Sequence, residues 1–323
     1  MAENAMTRRE FFIGAAAVTA APMVSKAMMA GNCVDENLSV FISDIHVSGP
    51  DVRGTVNGDQ PTYTRAYFDR TVDEILAMRP RPKRVVCFGD IAMWFGMHQD
   101  YEASLPGFRR LREAGIDLAL AMGNHDKREV FARYHPELAK ASPVPGRIVS
   151  VVDLGTCDLL LLDSLNETSP DEGVMNAGGG CIDRAQWDWL KAEAARRTRP
   201  FLCGAHHSPR QLVQEEGGRK LDVLVFLKES PWFRGWVRGH DHFWSTEFHF
   251  QKEKTFPNVA LPSTGFWGDV GFVTCRTYDD RAVLTLAERD FFYPKPLPAG
   301  ERRPSAWDRQ VADRDGLRCT FMY

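Results

Sequence analysis

Short apolar runs alternate along the chain with longer stretches in which apolar residues recur every three or four positions. Leu38–Ile42, Val85–Phe88, Leu118–Met122, Leu159–Leu162, Phe201–Ala205 and Trp236–Arg238 are of strand length and several are nearly continuous in apolar residues, as strands buried on both faces are. Between them, Thr62 opens a segment in which Tyr67, Phe68, Thr71, Val72, Ile75 and Leu76 keep helical spacing until Pro80. Asp183 with Gln186 forms a capping box for a second helix, which buries Trp187, Leu190 and Ala194 and ends before Pro200. Strand-helix-strand alternation predicts an α/β domain. After residue 240 the helical pattern stops, and Phe243–Phe250, Asn258–Leu261, Val270–Cys275 and Ala282–Leu286 read as successive strands of a second sheet joined to the first. Ser169–Gly180, with three consecutive glycines, reads as a mobile loop, and Pro294–Pro304 as a surface segment.

Composition bounds the function. With 323 residues, 44% hydrophobic and 26% charged, the chain can bury a substantial core without disulfide staples. A net charge of −3 provides no field for coating nucleic acid, so no nucleic-acid polymer is expected as a partner. The seven cysteines, at 33, 87, 157, 181, 203, 275 and 319, show no C-x-x-C spacing, and their connectivity cannot be deduced.

The first residues have the plan of an export leader. Thr7-Arg8-Arg9-Glu10-Phe11-Phe12 precedes a small and apolar run from Ile13 to Ala21, with a small-x-small site near Ser25-Lys26-Ala27. The run is far short of the ~20 residues needed to cross a bilayer, so no stable membrane anchor is expected. The paired arginines resemble a bacterial twin-arginine signal, which implies the twin-arginine export machinery as a partner and a periplasmic or secreted location. Cleavage after residue 27 removes three of 40 basic and two of 43 acidic residues, so the net charge changes only from −3 to −4. The expected division is a signal peptide over 1–27, a catalytic domain over 28–293 and a Pro- and charge-rich extension over 294–323 packed on that domain.

Candidate chemistry lies at the strand ends. Asp44 and His46 follow the first strand, Asp90 the second, and Asn124, His125 and Asp126 the third, while His206-His207 and His240-Asp241-His242 follow two later ones. Six of the 9 histidines fall in these blocks. The C-terminal edge of a parallel sheet is where ligands bind in α/β folds. Oxygen and imidazole donors without thiolates suit Mn, Fe or Zn. Two such ions roughly 3.5–4 Å apart can clamp a phosphoryl group and acidify water for in-line attack.

The order of the five blocks resembles the calcineurin-like binuclear metallophosphoesterases, from residue 38 to about 245. The resemblance implies a two-sheet sandwich flanked by helices (αββα), two divalent ions, and hydrolysis of a small-molecule phosphate ester by a two-metal-activated hydroxide. It assigns one metal to Asp44, His46, Asp90 and His242 and the other to Asp90, Asn124, His206 and His240, with His207 as the alternative to His206. His125 is expected to be the acid, and Asp126, from its adjacency, to orient the His125 imidazole. Where purple acid phosphatases carry a tyrosine, this chain has Met93. The loop Ile91–Tyr101 looks more like the bacterial phosphodiesterase branch, so a diester is expected ahead of a monoester. A non-catalytic metal-binding scaffold is the reading from another class. His98 and Arg53 are the candidate substrate contacts.

Overall fold

The computed structural model describes residues 33–49, 63–216, 219–251, 254–265, 268–292 and 314–323. The expected leader, Arg53 and residues 293–313 lie outside the described residues.

Two six-stranded sheets form the centre. The first has the order β14 (Arg318–Met322), β13 (Arg281–Phe292), β12 (Gly268–Tyr278), β1 (Val34–Ile42), β2 (Arg81–Cys87) and β3 (Asp117–Leu120). In the second the order is β10 (Ser245–Gln251), β11 (Lys254–Ala260), β9 (Phe233–Arg238), β6 (Phe201–Ala205), β5 (Asp158–Leu161) and β4 (Ser150–Asp153). Strands β1, β2 and β3 run parallel, as do β5, β6, β9 and β11. The remaining pairings in these sheets are antiparallel. A small hairpin joins β7 (Val213–Glu216) to β8 (Arg219–Asp222).

The facing surfaces of the sheets share one apolar layer, in which Phe41, Val86 and Phe88 meet Leu159, Leu202, Val237 and Val259. The outer face of the first sheet packs on α1 (Tyr63–Ala77), α2 (His98–Glu113) and α3 (Arg128–Tyr134) through Phe68, Val72, Ile75, Phe108, Leu111 and Phe131. A short α4 (Pro136–Ala141) follows. The second sheet packs on α5 (Arg184–Arg196) and α6 (Val223–Glu229) through Trp187, Leu190, Leu224 and Leu227. The mixed α/β sandwich is the expected one, and strands buried on both faces explain the continuous apolar runs.

Three departures have physical causes. Helix α2 had no predicted counterpart, because Pro106-Gly107 reads as a turn, yet burial of Tyr101, Phe108 and Leu111 carries the helix through it. Asp183 caps α5 by accepting from the Gln186 N–H at 2.9 Å. The Gln186 amide does not close the box but makes two 2.8 Å bonds to the Asp163 backbone, tying α5 to the end of β5. Lastly, β14 belongs to the first sheet and buries Phe321 in the shared layer, so the sandwich does not stop at the expected boundary of 293. All seven thiols are free.

Glu288 on β13 is buried, and burial pushes its carboxyl up to about 7 from the usual 4.5, against the opposing charge of Arg314. The folded chain therefore holds this proton more tightly than the unfolded one, and stability drains away as pH rises from about 4.5 through about 7. Melting curves should show Glu288→Gln gaining on the parent protein between pH 5 and pH 8. A pH-independent difference would count against the assignment.

Candidate metal centre

The five blocks meet at one edge of the sandwich. Asp44 and His46 follow β1, Asp90 follows β2, and Asn124 and His125 follow β3; His206 follows β6, and His240 and His242 follow β9. The C-terminal ends of parallel strands from both sheets thus deliver side chains to a common place. The loops continue the strand ladder, with the Asp44 N–H on the Gly89 carbonyl (3.1 Å) and the His46 N–H on the Asp90 carbonyl (2.9 Å). Across the junction, the Thr264 N–H and hydroxyl both reach the Ser43 carbonyl at 2.9 Å.

Backbone conformation sets these residues apart. The described non-glycine residues with positive φ are Asp44 (50°), His46 (47°), Asp90 (52°), His240 (74°) and His242 (61°). A left-handed backbone costs a non-glycine residue about 1–3 kcal/mol, and such outliers gather where function holds them. Glycine neighbours permit the crowding. A Cβ at Gly123 would stand 2.1 Å from Asp90 Oδ1, and one at Gly239 would stand 2.0 Å from Ser43 Oγ and 2.8 Å from Asp44 Oδ2.

The Asp90 carboxylate lies at the centre. Its Oδ1 accepts the His125 N–H at 2.9 Å. Its Oδ2 is 3.1 Å from His206 Nε2, 3.6 Å from His46 Nε2 and 4.0 Å from His125 Nε2. On one side, His242 Nε2 is 3.2 Å from both Asp44 Oδ1 and His46 Nε2. On the other, Asn124 Oδ1 is 3.1 Å from His206 Nε2 and 3.0 Å from His240 Nδ1. Asp90 thus lies between donors on both sides, and Asp44-His46-His242 and Asp44-Asp90-His206 each bring their donor atoms within 4.8 Å of one another.

The donor chemistry fits cations. His46 Nδ1 lies 2.9 Å from the Met93 carbonyl and His206 Nδ1 2.8 Å from the Phe88 carbonyl. A carbonyl can only accept, so each Nδ1 carries a proton, and a ring that is neutral at Nε2 would aim that lone pair at the neighbouring carboxylate oxygens, and in His206 at the Asn124 amide oxygen as well. Lone pair against lone pair is repulsive unless a positive charge lies between. In the chain alone, burial opposes protonation of His206, but the Asp90 charge and hydrogen bond raise it to about 9. His46 is driven down to about 3 by burial, with Asp90 opposing. Burial would raise Asp90, yet the surrounding His206 and His125 hold it well below the usual carboxylate range. The site is built for positive charge.

The sequence profile of the calcineurin-like phosphoesterase family matches residues 39–243. A probable cyclic nucleotide phosphodiesterase of Rhodopseudomonas palustris is 33% identical over 244 residues, covering 74% of this chain and 78% of the relative. The chain belongs to the calcineurin-like phosphoesterase family. A probable cyclic nucleotide phosphodiesterase of Rhodococcus erythropolis is 28% identical over 211 residues, covering 64% of this chain and 62% of that relative. Among solved structures, a dimetal phosphatase from Danio rerio shares the fold with a TM-score of 0.58 at 16% identity, over 79% of this chain and 96% of that one. This phosphoesterase is thus a hydrolase of phosphoric esters with candidate metal-binding groups at its strand ends.

The expected pairing of Asp126 with His125 is not the one found. Asp126 is fully buried and accepts from the backbone N–H groups of Ile91 (3.1 Å), Ala92 (3.1 Å) and Gly123 (2.9 Å) and from the Tyr101 hydroxyl (3.0 Å). Its role is to bind the Asp90 loop to the Asn124 loop, and burial with the nearby Asp90 charge pushes it up to about 7. What orients His125 is the Trp94 carbonyl, 2.9 Å from Nδ1, with the Trp94 ring edge-on at 5.1 Å. That loop was legible in the sequence, but a backbone carbonyl leaves no residue-type signal. Asp100 acts similarly, accepting from Gly49 N–H (2.8 Å) and Met93 N–H (3.3 Å).

His207 adjoins the cluster, its ring edge-on to His206 and tilted to His240 with centroids 4.8 Å from each, and these three histidines also bring donor atoms within 4.8 Å of one another. Its Nδ1 is engaged by the Ser164 hydroxyl at 2.8 Å, and its Nε2 is buried without a hydrogen bond among the described residues. His98 opens α2 with its ring on the Tyr134 hydroxyl at 3.2 Å and its N–H on Glu172, so it is engaged away from the cluster. A cleft of about 380 Å³ lies elsewhere, between edge strands β3 and β4, and shares no residue with the cluster.

Gly123→Ala should test the crowding. Its methyl group would displace the Asp90 carboxylate, and an error near 1 Å at a catalytic group costs about 100-fold. Circular dichroism should report a folded protein, with metal uptake and turnover both falling about that much. Normal metal content in the variant would refute the steric account.

Proposed function

We propose that this phosphoesterase cleaves phosphodiesters, cyclic nucleotides among them, with two divalent transition-metal ions held by its aspartate-histidine cluster. The carrying observation is the position of Asp90 Oδ2, between His46 Nε2 at 3.6 Å and His206 Nε2 at 3.1 Å, each backed by further donors. One ion is assigned to Asp44, His46, Asp90 and His242, the other to Asp90, Asn124, His206 and His240. His206 is preferred to His207 because its Nε2 reaches Asp90 and Asn124, whereas His207 Nδ1 is engaged by Ser164. Nitrogen and oxygen donors suit Mn, Fe or Zn.

When bound, two such ions supply Lewis acidity to the phosphoryl oxygens and acidify water towards neutrality. The rest is done by side chains of this chain. The Trp94 carbonyl fixes a proton on His125 Nδ1, which leaves Nε2 as the atom that exchanges a proton with the substrate. As an imidazolium, His125 passes the Nε2 proton to the departing oxygen. Its backbone bond to Asp90 Oδ1 holds the acid in register with the shared carboxylate. Trp94 adds aromatic surface beside it, of a kind on which a nucleobase can stack. The diester reading is supported by the names of the two bacterial relatives.

Metal analysis of the purified protein should give close to two ions per chain. A panel of phosphodiesters, cyclic nucleotides and phosphomonoesters should show diester preference, and His125→Ala should lower kcat by about 10²–10⁴-fold. One ion per chain with turnover of monoesters alone would overturn the assignment.

Export is proposed alongside. Arg8-Arg9 and the short apolar run to Ala21 support a twin-arginine leader and work in the periplasm or outside the cell. Among the described residues no helix is long and apolar enough to cross a membrane. A cluster assembled from both sheets exists only after folding, which suits export of the folded chain. Cell fractionation should find the Arg8→Lys, Arg9→Lys variant retained in the cytoplasm; undiminished recovery outside it would refute the leader.

A further inference from the structure

Ser169–Gly180, expected to be a mobile loop, lies in the segment between β5 and α5, and that segment is tied to the back of the site. Glu167 accepts from the Arg128 N–H (3.0 Å) and guanidinium (3.1 Å), Glu172 from the His98 N–H (2.8 Å), and the Gly173 N–H meets the Phe95 carbonyl (3.3 Å). The central contact is made by Asn176, which is only 7% exposed. Its Nδ2 donates to the Asn124 carbonyl at 3.0 Å and to the Asp126 carbonyl at 2.8 Å, the main-chain carbonyls on either side of His125. Its Oδ1 accepts from the Lys127 ammonium at 2.7 Å. Lys127 is fully buried and also donates to the Ser169 carbonyl.

These partners leave no choice of orientation. An ammonium cannot accept and a carbonyl cannot donate, so the Asn176 amide can lie only one way round. Both amide hydrogens are used, and both are spent on backbone next to the acid. A carboxylate in this position could keep the lysine but would set an oxygen against two carbonyl oxygens. An apolar side chain could hold none of the three partners.

We propose that Asn176 is a positioning residue for His125. By gripping the Asn124 carbonyl, in the peptide plane that leads into His125, and the Asp126 carbonyl, one peptide beyond the plane that leaves it, Asn176 clamps the main chain from which the imidazole projects, and Lys127 locks the amide in the donating orientation. The Trp94 carbonyl then sets the ring rotation. Asn176 thus completes a three-sided mount for a proton donor whose own side chain is otherwise held by one hydrogen bond. This inference rests on His125 acting as the acid.

The acid matters most when the departing oxygen is basic, so the signature is dependence on the leaving group. The test compares the parent enzyme, Asn176→Asp and Lys127→Met on aryl phosphodiesters that release 4-nitrophenol or phenol. In Asn176→Asp, kcat for phenol release should fall about 10–100-fold with KM within about threefold, while kcat for 4-nitrophenol release falls severalfold less. Lys127→Met, with the amide free to turn, should show the same leaning at smaller size. Histidine NMR of the folded protein supplies a second readout: the His125 Cε1–H signal, identified by its loss in His125→Ala, should shift or broaden in Asn176→Asp. If the parent enzyme cleaves no diester, the functional reading fails. Should the parent cleave diesters while both folded variants lose equally on the two leaving groups, or lose nothing, with the His125 signal unmoved, the positioning role fails instead. If Asn176→Asp does not fold, Lys127→Met decides by the same two readouts.

Discussion

A buried carboxylate shared by imidazoles from both sheets is the constraint on which the structure turns. Asp90 stands on the first sheet, yet the imidazole nearest its Oδ2 is that of His206, on the second. The sheets can face each other only in a register that brings β1 and β2 ends to β6 and β9 ends. The apolar layer between them provides cohesion but is not directional. The polar edge supplies the direction. The Thr264 bonds to the Ser43 carbonyl and the His240 N–H on the Asp44 carboxylate at 3.1 Å stitch the two sides at that level.

Most of the architecture could be read from the chain because its central strands are buried on both faces. Val85–Phe88 and Phe201–Ala205 had to be apolar throughout, and they stand out from their surroundings. Elements that depend on one-sided or late contacts were not legible. Helix α2 runs through Pro106-Gly107, β4 has every second residue exposed, and β14 follows a Pro- and charge-rich stretch. Their stability comes from partners far away in sequence, which local pattern cannot encode.

The same division runs through the site. Side chains that present donor atoms to the cluster follow strands directly, so residue type and position together gave them away. What holds those side chains is written in backbone groups. The carbonyls of Phe88, Met93 and Trp94 fix the histidine tautomers, and Asp100 and Asp126 bind loops through N–H groups. None of these carries a signature in a sequence, since every residue has a carbonyl. Asp126 shows the hazard of inference from adjacency: next to His125 in the chain, it faces the opposite way and serves the main chain.

The left-handed backbones at Asp44, His46, Asp90, His240 and His242 have a consequence for how such a protein can change over generations. At each of them glycine would relax the main chain, since it populates this region freely. The present side chains persist against that gradient. A lineage released from the need for its chemistry would gain folding free energy by drifting to glycine or asparagine at these positions, and the gain would make the loss hard to reverse. Local strain thus acts as a ratchet: once glycine has taken such a position, a return to aspartate or histidine would have to be made against the folding free energy that the exchange released.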